Sequence, residues 1–278
     1  MMLQISRLTY AYEGKKVALR DISMDFSKGE IIGLIGRNGS GKSTLFLNIV
    51  GILKPSKGEI LYENTPIRYD KKSLYELRKK IGIVFQDPDQ QIFYSDVYED
   101  LAFALRNLGL SEEVIKERID EALRSVDALH LRDEAVQFLS YGQKKRIAIA
   151  SVLAMKQEMV LLDEPTAGLD PVSVERMIEI IMGMKKAGIK VLVSSHDMDF
   201  IYKICDYLYV LDEGKLIDEG TKEKVFHKDR DLLAIGLGEP WLMKVHKYMG
   251  LPLFETEEAL YHFWKEQEKS QFKKDEVL

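Results

Sequence analysis

A glycine-rich octapeptide constrains this chain more than any other stretch. Gly36-Arg37-Asn38-Gly39-Ser40-Gly41-Lys42-Ser43 fits G-x-x-x-x-G-K-[ST] at every fixed position. It follows the short apolar run Ile31–Ile35 and precedes a helix-forming stretch over 43–50. A fully apolar strand needs cover on both faces, so strand, glycine turn and helix together predict an α/β layer. The turn also has a chemical use. Its glycines let backbone N–H groups curl toward one point, and the helix start adds partial positive charge there. Such a cradle holds phosphates. Lys42 is expected to reach the β- and γ-phosphates of ATP, Ser43 to hold Mg²⁺, and Thr44 to complete the nucleotide-binding set.

Three further apolar runs end in polar residues of the kind this chemistry needs. Residues 159–162 lead into Asp163-Glu164. Asp163 is expected to bind the Mg²⁺ shell, and Glu164 to polarise an attacking water. Lys190–Ser195 leads into His196, which is expected to touch the γ-phosphate and to hold that water or Glu164. Residues 80–86 end at Gln86, whose amide is expected to contact Mg²⁺ or water and to sense the γ-phosphate. Each has an ordinary reading: two acids opening a loop, a histidine capping a helix, an amide at a strand end. The phosphate loop upstream weighs against all three.

The alternation of strands and helices after residue 155 implies parallel strands joined by right-handed crossovers. Residues 1–32 read as short strands. Residues 94–154 read as mostly helical, with Ser111 as an N-cap and Ile115, Ile119, Ala122, Leu123 and Val126 at helical spacing. Tyr207–Asp212 and 215–220 read as a hairpin around Glu213-Gly214. From about residue 226 the alternation stops, and Trp241, Phe263 and Trp264 sit among short amphipathic segments. Residues after Ser270 read as a polar, fraying end.

Bulk properties exclude some functions. The formal net charge is −5, which does not point to a nucleic-acid partner. The single cysteine, Cys205, cannot form an internal disulfide and reads as a core residue in a reducing compartment. The N-terminal stretch lacks the basic start and apolar run of a signal peptide. No apolar stretch approaches the ~20 residues that cross a bilayer, so a membrane role must come through a partner.

Leu139-Ser140-Tyr141-Gly142-Gln143 resembles the LSGGQ signature of ABC (ATP-binding cassette) ATPases, with Tyr141 where the pattern usually has glycine. Gly168-Leu169-Asp170 resembles the D-loop of that family, and Tyr12 matches the aromatic that stacks on adenine, with Tyr10 close enough to compete. The resemblance covers residues 1–225. It implies a P-loop NTPase (ABC ATPase) core with a parallel sheet, an N-terminal antiparallel β subdomain and a helical signature subdomain inserted at about 94–154. It also implies a head-to-tail dimer in which Ser140 and Gly142 face the ATP of a second ABC ATPase subunit and Asp170 connects the two sites.

The strings Phe85-Gln86-Asp87-Pro88-Asp89-Gln90-Gln91-Ile92-Phe93 and LSYGQKKRIAIASVLAM look like the ATPases of energy-coupling-factor transporters, including the cobalt/nickel type CbiO. That likeness implies a peripheral protein on the cytoplasmic face of the cell membrane. Its partners would be a transmembrane coupling protein and a membrane substrate-binding protein, and its cargo cobalt, nickel or a vitamin. It also implies that residues 226–278 form a C-terminal extension that helps two ATPases associate. Ile92, Phe93 and Tyr94 are expected in a surface groove gripping the coupling protein, or else packed into the helical subdomain. A DNA- or ribosome-directed ABC protein, a small-molecule kinase and another importer or exporter ATPase are the competing readings. The short insertion before the signature, the signature itself and the two strings weigh against them in turn.

Overall fold

The computed structural model describes residues 3–13, 17–227 and 232–275, with side chains described up to residue 267. Strands β1 (Leu3–Ala11) and β2 (Val17–Asp25) pair antiparallel, and β3 (Ile31–Ile35) leaves them to run into α1 (Lys42–Ile49). The chain returns through β4 (Lys57–Tyr62) and β5 (Thr65–Pro66), then passes through α2 (Lys71–Lys80) into β6 (Ile81–Val84). Three helices follow: α3 (Val97–Asn107), α4 (Glu112–Ser125) and α5 (Tyr141–Ala154). Alternation resumes with β7 (Met159–Asp163), α6 (Pro171–Lys186), β8 (Lys190–Ser195), α7 (Met198–Ile204), β9 (Tyr207–Asp212) and β10 (Lys215–Thr221). The chain finishes with α8 (Lys222–His227), α9 (Trp241–Met249) and α10 (Glu257–Asp275).

Among the described residues the strands form two sheets, ordered β2-β1-β4-β5 and β10-β9-β3-β8-β7-β6. In the larger sheet β9, β3, β8, β7 and β6 run parallel, and β10 closes the edge antiparallel to β9. Every residue of β3 and β7 is buried, which is why both read as unbroken apolar runs. Their side chains still alternate between faces. Ile31, Ile35, Val160, Leu162, Val191 and Val193 join one core with α3, α4, α5 and α6. Ile32, Leu34, Met159, Leu161 and Leu192 join a second core with α1 and the smaller sheet. The larger sheet is thus sandwiched between two apolar layers.

The helical stretch is built as its spacing predicts. Ile115, Ile119, Ala122, Leu123 and Val126 are all buried. Ser111 stands at the N-cap of α4, but its hydroxyl accepts no bond from the helix amides. The helix α2 has no counterpart in the sequence reading. Only Leu77 of it is buried, so its apolar periodicity is too thin to register, and its start rests on Asp70 accepting from the Ser73 amide. Cys205 is buried, which pushes its thiol well above the ordinary range. The helix α10 continues to Asp275, past Ser270 where the polar end begins; residues 276–278 lie outside the described residues.

The segments after β10 are fastened to the rest. Leu242, Met243, Phe254 and Leu260 are buried in the core that also holds Phe200 and Ile201 of α7. Tyr202 Oη donates to the Phe254 carbonyl at 3.1 Å, and the Trp241 amide donates to Asp199 Oδ1 at 2.6 Å.

Candidate nucleotide site

Register brings the candidate residues to one sheet edge. Ile35 of β3 lies beside Ser195 of β8, and Asp163 of β7 beside Ser194. The loops leaving β3, β7 and β8 therefore emerge side by side. Val84 of β6 pairs with Leu162, so the segment carrying Gln86 leaves from the same edge. Ligands of open parallel sheets bind at such carboxyl ends.

The phosphate loop demands glycine for two reasons, backbone conformation at Gly39 and Gly41 and close packing at Gly36 and Gly41. Gly39 and Gly41 have φ of +79° and +114°, which favour glycine. A Cβ on Gly36 would lie 2.3 Å from the Leu211 carbonyl oxygen and 2.6 Å from Ser40 Oγ. We expect Gly36→Ala to destabilise the fold by about 1–3 kcal/mol, as overpacking does, and to cut ATP binding. A thermal melt and a titration with ATP check both, and an unchanged Tm would contradict the packing argument.

Lys42 is buried, and its Nζ donates to the carbonyls of Gly36 at 2.7 Å and Arg37 at 3.3 Å. The same ammonium lies 3.6 Å from Glu164 Oε1. Ser40 Oγ is buried without a hydrogen-bond partner among the described residues. The sequence reading missed how the β9–β10 hairpin braces this loop. Arg37 pairs with Asp212 at 3.0 Å and Glu213 at 2.8 Å, and the Gly214 amide donates to the Ser40 carbonyl.

Glu164 is 5% exposed. Its Oε2 lies 2.8 Å from His196 Nδ1, while Oε1 has no hydrogen-bond partner among the described residues and faces Lys42. Ser194 was also missed. Its hydroxyl donates to Asp163 Oδ1 and accepts from the Glu164 amide at 3.1 Å. Two consecutive serines closing an otherwise apolar strand are the signal that could have found it. A Mg²⁺ ion fits these donors. Ser43 and Asp163 line one cavity of about 610 Å³ with hard oxygen ligands, and a nucleotide would bring phosphate oxygens to the same place.

Tyr12, Arg37, Asn38, Gly39, Gly41, Lys42, Ser43, Thr44, Gln86, Asp163 and Glu164 all line that cavity. Tyr12 Oη lies 3.1 Å from Thr44 Oγ1, and Tyr10 meets the Tyr12 ring edge-on at 5.0 Å without lining the cavity. Gln86 lies past the end of β6 and is exposed, so it does not end a buried strand as expected.

The signature lines a cleft of its own, and only its Tyr141 also reaches a cavity shared with Ser43, Gln86 and Asp163. Ser140 is the N-cap of α5 in a capping box: its Oγ accepts from the Gln143 amide, and Gln143 Oε1 accepts from the Ser140 amide at 2.7 Å. Leu139 points inward and packs in the core, so its side chain faces no ligand. Ser140, Tyr141, Gly142 and Gln143 line a cleft of about 290 Å³ with Gly168, Leu169 and Asp170. Asp170 caps α6, accepting from the Ser173 amide and hydroxyl, and these bonds hold its carboxyl below the usual range.

The family profile described as ABC transporter matches residues 19–167. The chain belongs to the ABC transporter family. It is 48% identical to "Cobalt import ATP-binding protein CbiO" of Salmonella typhimurium over 94% of this chain and 96% of that protein. Its fold matches that of cbiO1 from Clostridium perfringens, part of the ABC transporter complex cbiONQ, with TM-score 0.77 and 42% identity, covering 88% of this chain and 94% of that one. A dimeric structure of MJ0796, a bacterial ABC transporter cassette, matches with TM-score 0.71 and 27% identity over 79% and 98% of the two chains. This ABC ATPase is an ATP-binding and ATP-hydrolysing subunit of an ABC transporter. None of its helices, among the described residues, is long and apolar enough to cross a membrane.

Proposed function

We propose that this ABC ATPase powers a multi-subunit importer of cobalt, nickel or a vitamin, working as a dimer that sandwiches ATP. One observation carries the reading. The cavity around the phosphate loop and the cleft around the signature share no lining residue. A nucleotide on the first is left open on one side, and the second offers the backbone start of α5 and the Ser140 hydroxyl to a nucleotide held elsewhere. A head-to-tail pair of copies, or of related chains, brings each cleft onto the other's cavity. The MJ0796 cassette, similar in fold, has a dimeric solved structure, which supports a paired state.

In this reading Lys42 leaves its backbone acceptors for the β- and γ-phosphates. Ser43 and Asp163 would hold Mg²⁺, with Gln86 beside them, and the ion would supply neutralisation of the charge that develops on the phosphates. Glu164 orients and polarises the water, and His196 fixes the Glu164 carboxylate. Hydrolysis removes the γ-phosphate contacts that join the copies, so the dimer opens.

Work would leave through the segment after Gln86. Ile92 packs inward, whereas Phe93 is 79% exposed and Tyr94 sits against Phe103, their rings 5.6 Å apart. This exposed aromatic surface suits a helix of a transmembrane coupling protein on the cytoplasmic face of the membrane. Residues 1–225 would act as the ATPase domain, with 94–154 as its helical subdomain. Residues 226–278 would help two ATPases associate, since Tyr248, Met249, Tyr261 and Trp264 are exposed there.

The test is uptake of radioactive cobalt or nickel by cells that express the chain with the membrane proteins that copurify with it. We expect uptake that falls to background when Glu164→Gln replaces the normal chain. Copurification of no membrane protein, or a cargo moved outward, would overturn the import reading.

A further inference from the structure

We propose that Lys145 and Tyr141, on the first turns of α5, are positioning residues that lock the backbone of Glu164 to the signature and to the Gln86 segment. The inference rests on the reading of Glu164 as the residue that polarises the attacking water.

Lys145 is 3% exposed. A lysine this deep ordinarily pairs with a carboxylate, yet it makes no ion pair among the described residues. Its Nζ donates to the carbonyls of Glu164 and Pro165, each at 3.0 Å. The ring of Tyr141 covers the ammonium, with its centroid 5.4 Å away. The cation is therefore directed at backbone geometry.

That geometry needs holding. Glu164 has φ of +47°, in the left-handed region that a residue with a Cβ avoids. Such a conformation persists only where the surroundings impose it. Ser194 accepts from the Glu164 amide through its carbonyl and its hydroxyl, both at 3.1 Å. Lys145 grips the carbonyl end. Held from both sides, Glu164 aims its carboxylate at Lys42 and His196.

Tyr141 extends the lock. Its hydroxyl donates to the Gln86 carbonyl at 3.2 Å. Its ring lies over Gly168, where an added Cβ would come within 3.1 Å of Tyr141 Cε1. A glycine at position 141, the usual residue of the signature, could make neither contact. The capping box fixes the start of α5 against this cluster. Any shift of α5 on meeting a second copy is thus passed to Glu164 and Gln86 together.

The experiment measures steady-state hydrolysis of MgATP by the purified full chain. Lys145→Met should lower kcat by about 10- to 100-fold and leave KM for ATP within about threefold, because the phosphate loop is untouched. Lys145→Arg, which keeps donors for the two carbonyls, should recover most of that loss. Tyr141→Phe should lower kcat by about 3- to 10-fold. In a Glu164→Gln background Lys145→Met should cost nothing further, since both act through one group. A normal kcat in Lys145→Met, a raised KM with kcat kept, or an additive loss in the double variant overturns the proposal. If thermal melts find Lys145→Met unfolded, Tyr141→Phe decides, and a normal kcat there overturns it. Normal turnover by Glu164→Gln alone would bring down the reading of Glu164 instead.

Discussion

Replacing Glu164 by glutamine is expected to slow ATP turnover by about 10²- to 10⁴-fold while ATP still binds. The substitution keeps volume and shape at a site that is 5% exposed, so the fold has little reason to yield. It removes the negative charge and basicity of an oxygen that has no hydrogen-bond partner among the described residues and faces the cavity holding Lys42. It also weakens the link to His196 Nδ1, now 2.8 Å from the carboxylate. Nucleotide contacts from the phosphate loop are unchanged, so ATP should accumulate on the protein. Size-exclusion chromatography with MgATP should then find a dimer that persists. Hydrolysis at the normal rate by this variant would strip Glu164 of its role.

Lys42→Ala should act on binding. The ammonium sits 6% exposed, with Gly36 and Arg37 carbonyls as its acceptors. ATP would offer the same group phosphate oxygens. Hydrogen bonds to charged partners are worth about 1.5–3 kcal/mol each, so losing one lowers ATP affinity by about 10- to 150-fold. The variant also leaves the Gly36 carbonyl and the Glu164 carboxylate without their cation, which adds a stability cost visible as a lower Tm. Titration with a fluorescent ATP analogue measures the affinity. Unchanged affinity together with an unchanged rate would take Lys42 out of the site.

These predictions rest on residues that local pattern exposes. The apolar runs of β3, β7 and β8 are legible because strands covered on both faces exclude polar residues until they reach the edge of the sheet. The polar residues at their ends then stand out, which is how Asp163, Glu164 and His196 come into view. The octapeptide 36–43 is legible for a related reason: positive φ and close approach demand glycine at fixed spacing. The helix α2 is not legible, since it buries one side chain, and the length of α10 is hidden by its polar end. The capping box at Ser140 and Gln143 is legible in the string itself, as a serine followed three residues later by glutamine.

Lys145 marks the boundary of such reading. Beside Lys144 and Arg146 it looks like one of three solvated cations. In the fold Lys144 reaches Asp89 at the surface, Arg146 leans on the Val126 carbonyl, and Lys145 turns into the interior beneath Glu164. Burial draws its ammonium down to about 8. Helical geometry sends neighbours about 100° apart, so adjacent lysines meet different surroundings.

By itself the sequence located the glycine loop and the polar residues that close β7 and β8, because strand burial and glycine conformations are local demands written residue by residue. The tertiary structure alone decided what holds those groups. The bracing of the phosphate loop by Arg37, Asp212 and Glu213, the bridging of Asp163 and Glu164 by Ser194, and the grip of Lys145 on the Glu164 carbonyl join residues 19 to 176 positions apart. Contacts over such separations depend on how strands register and helices pack, and no local pattern records them.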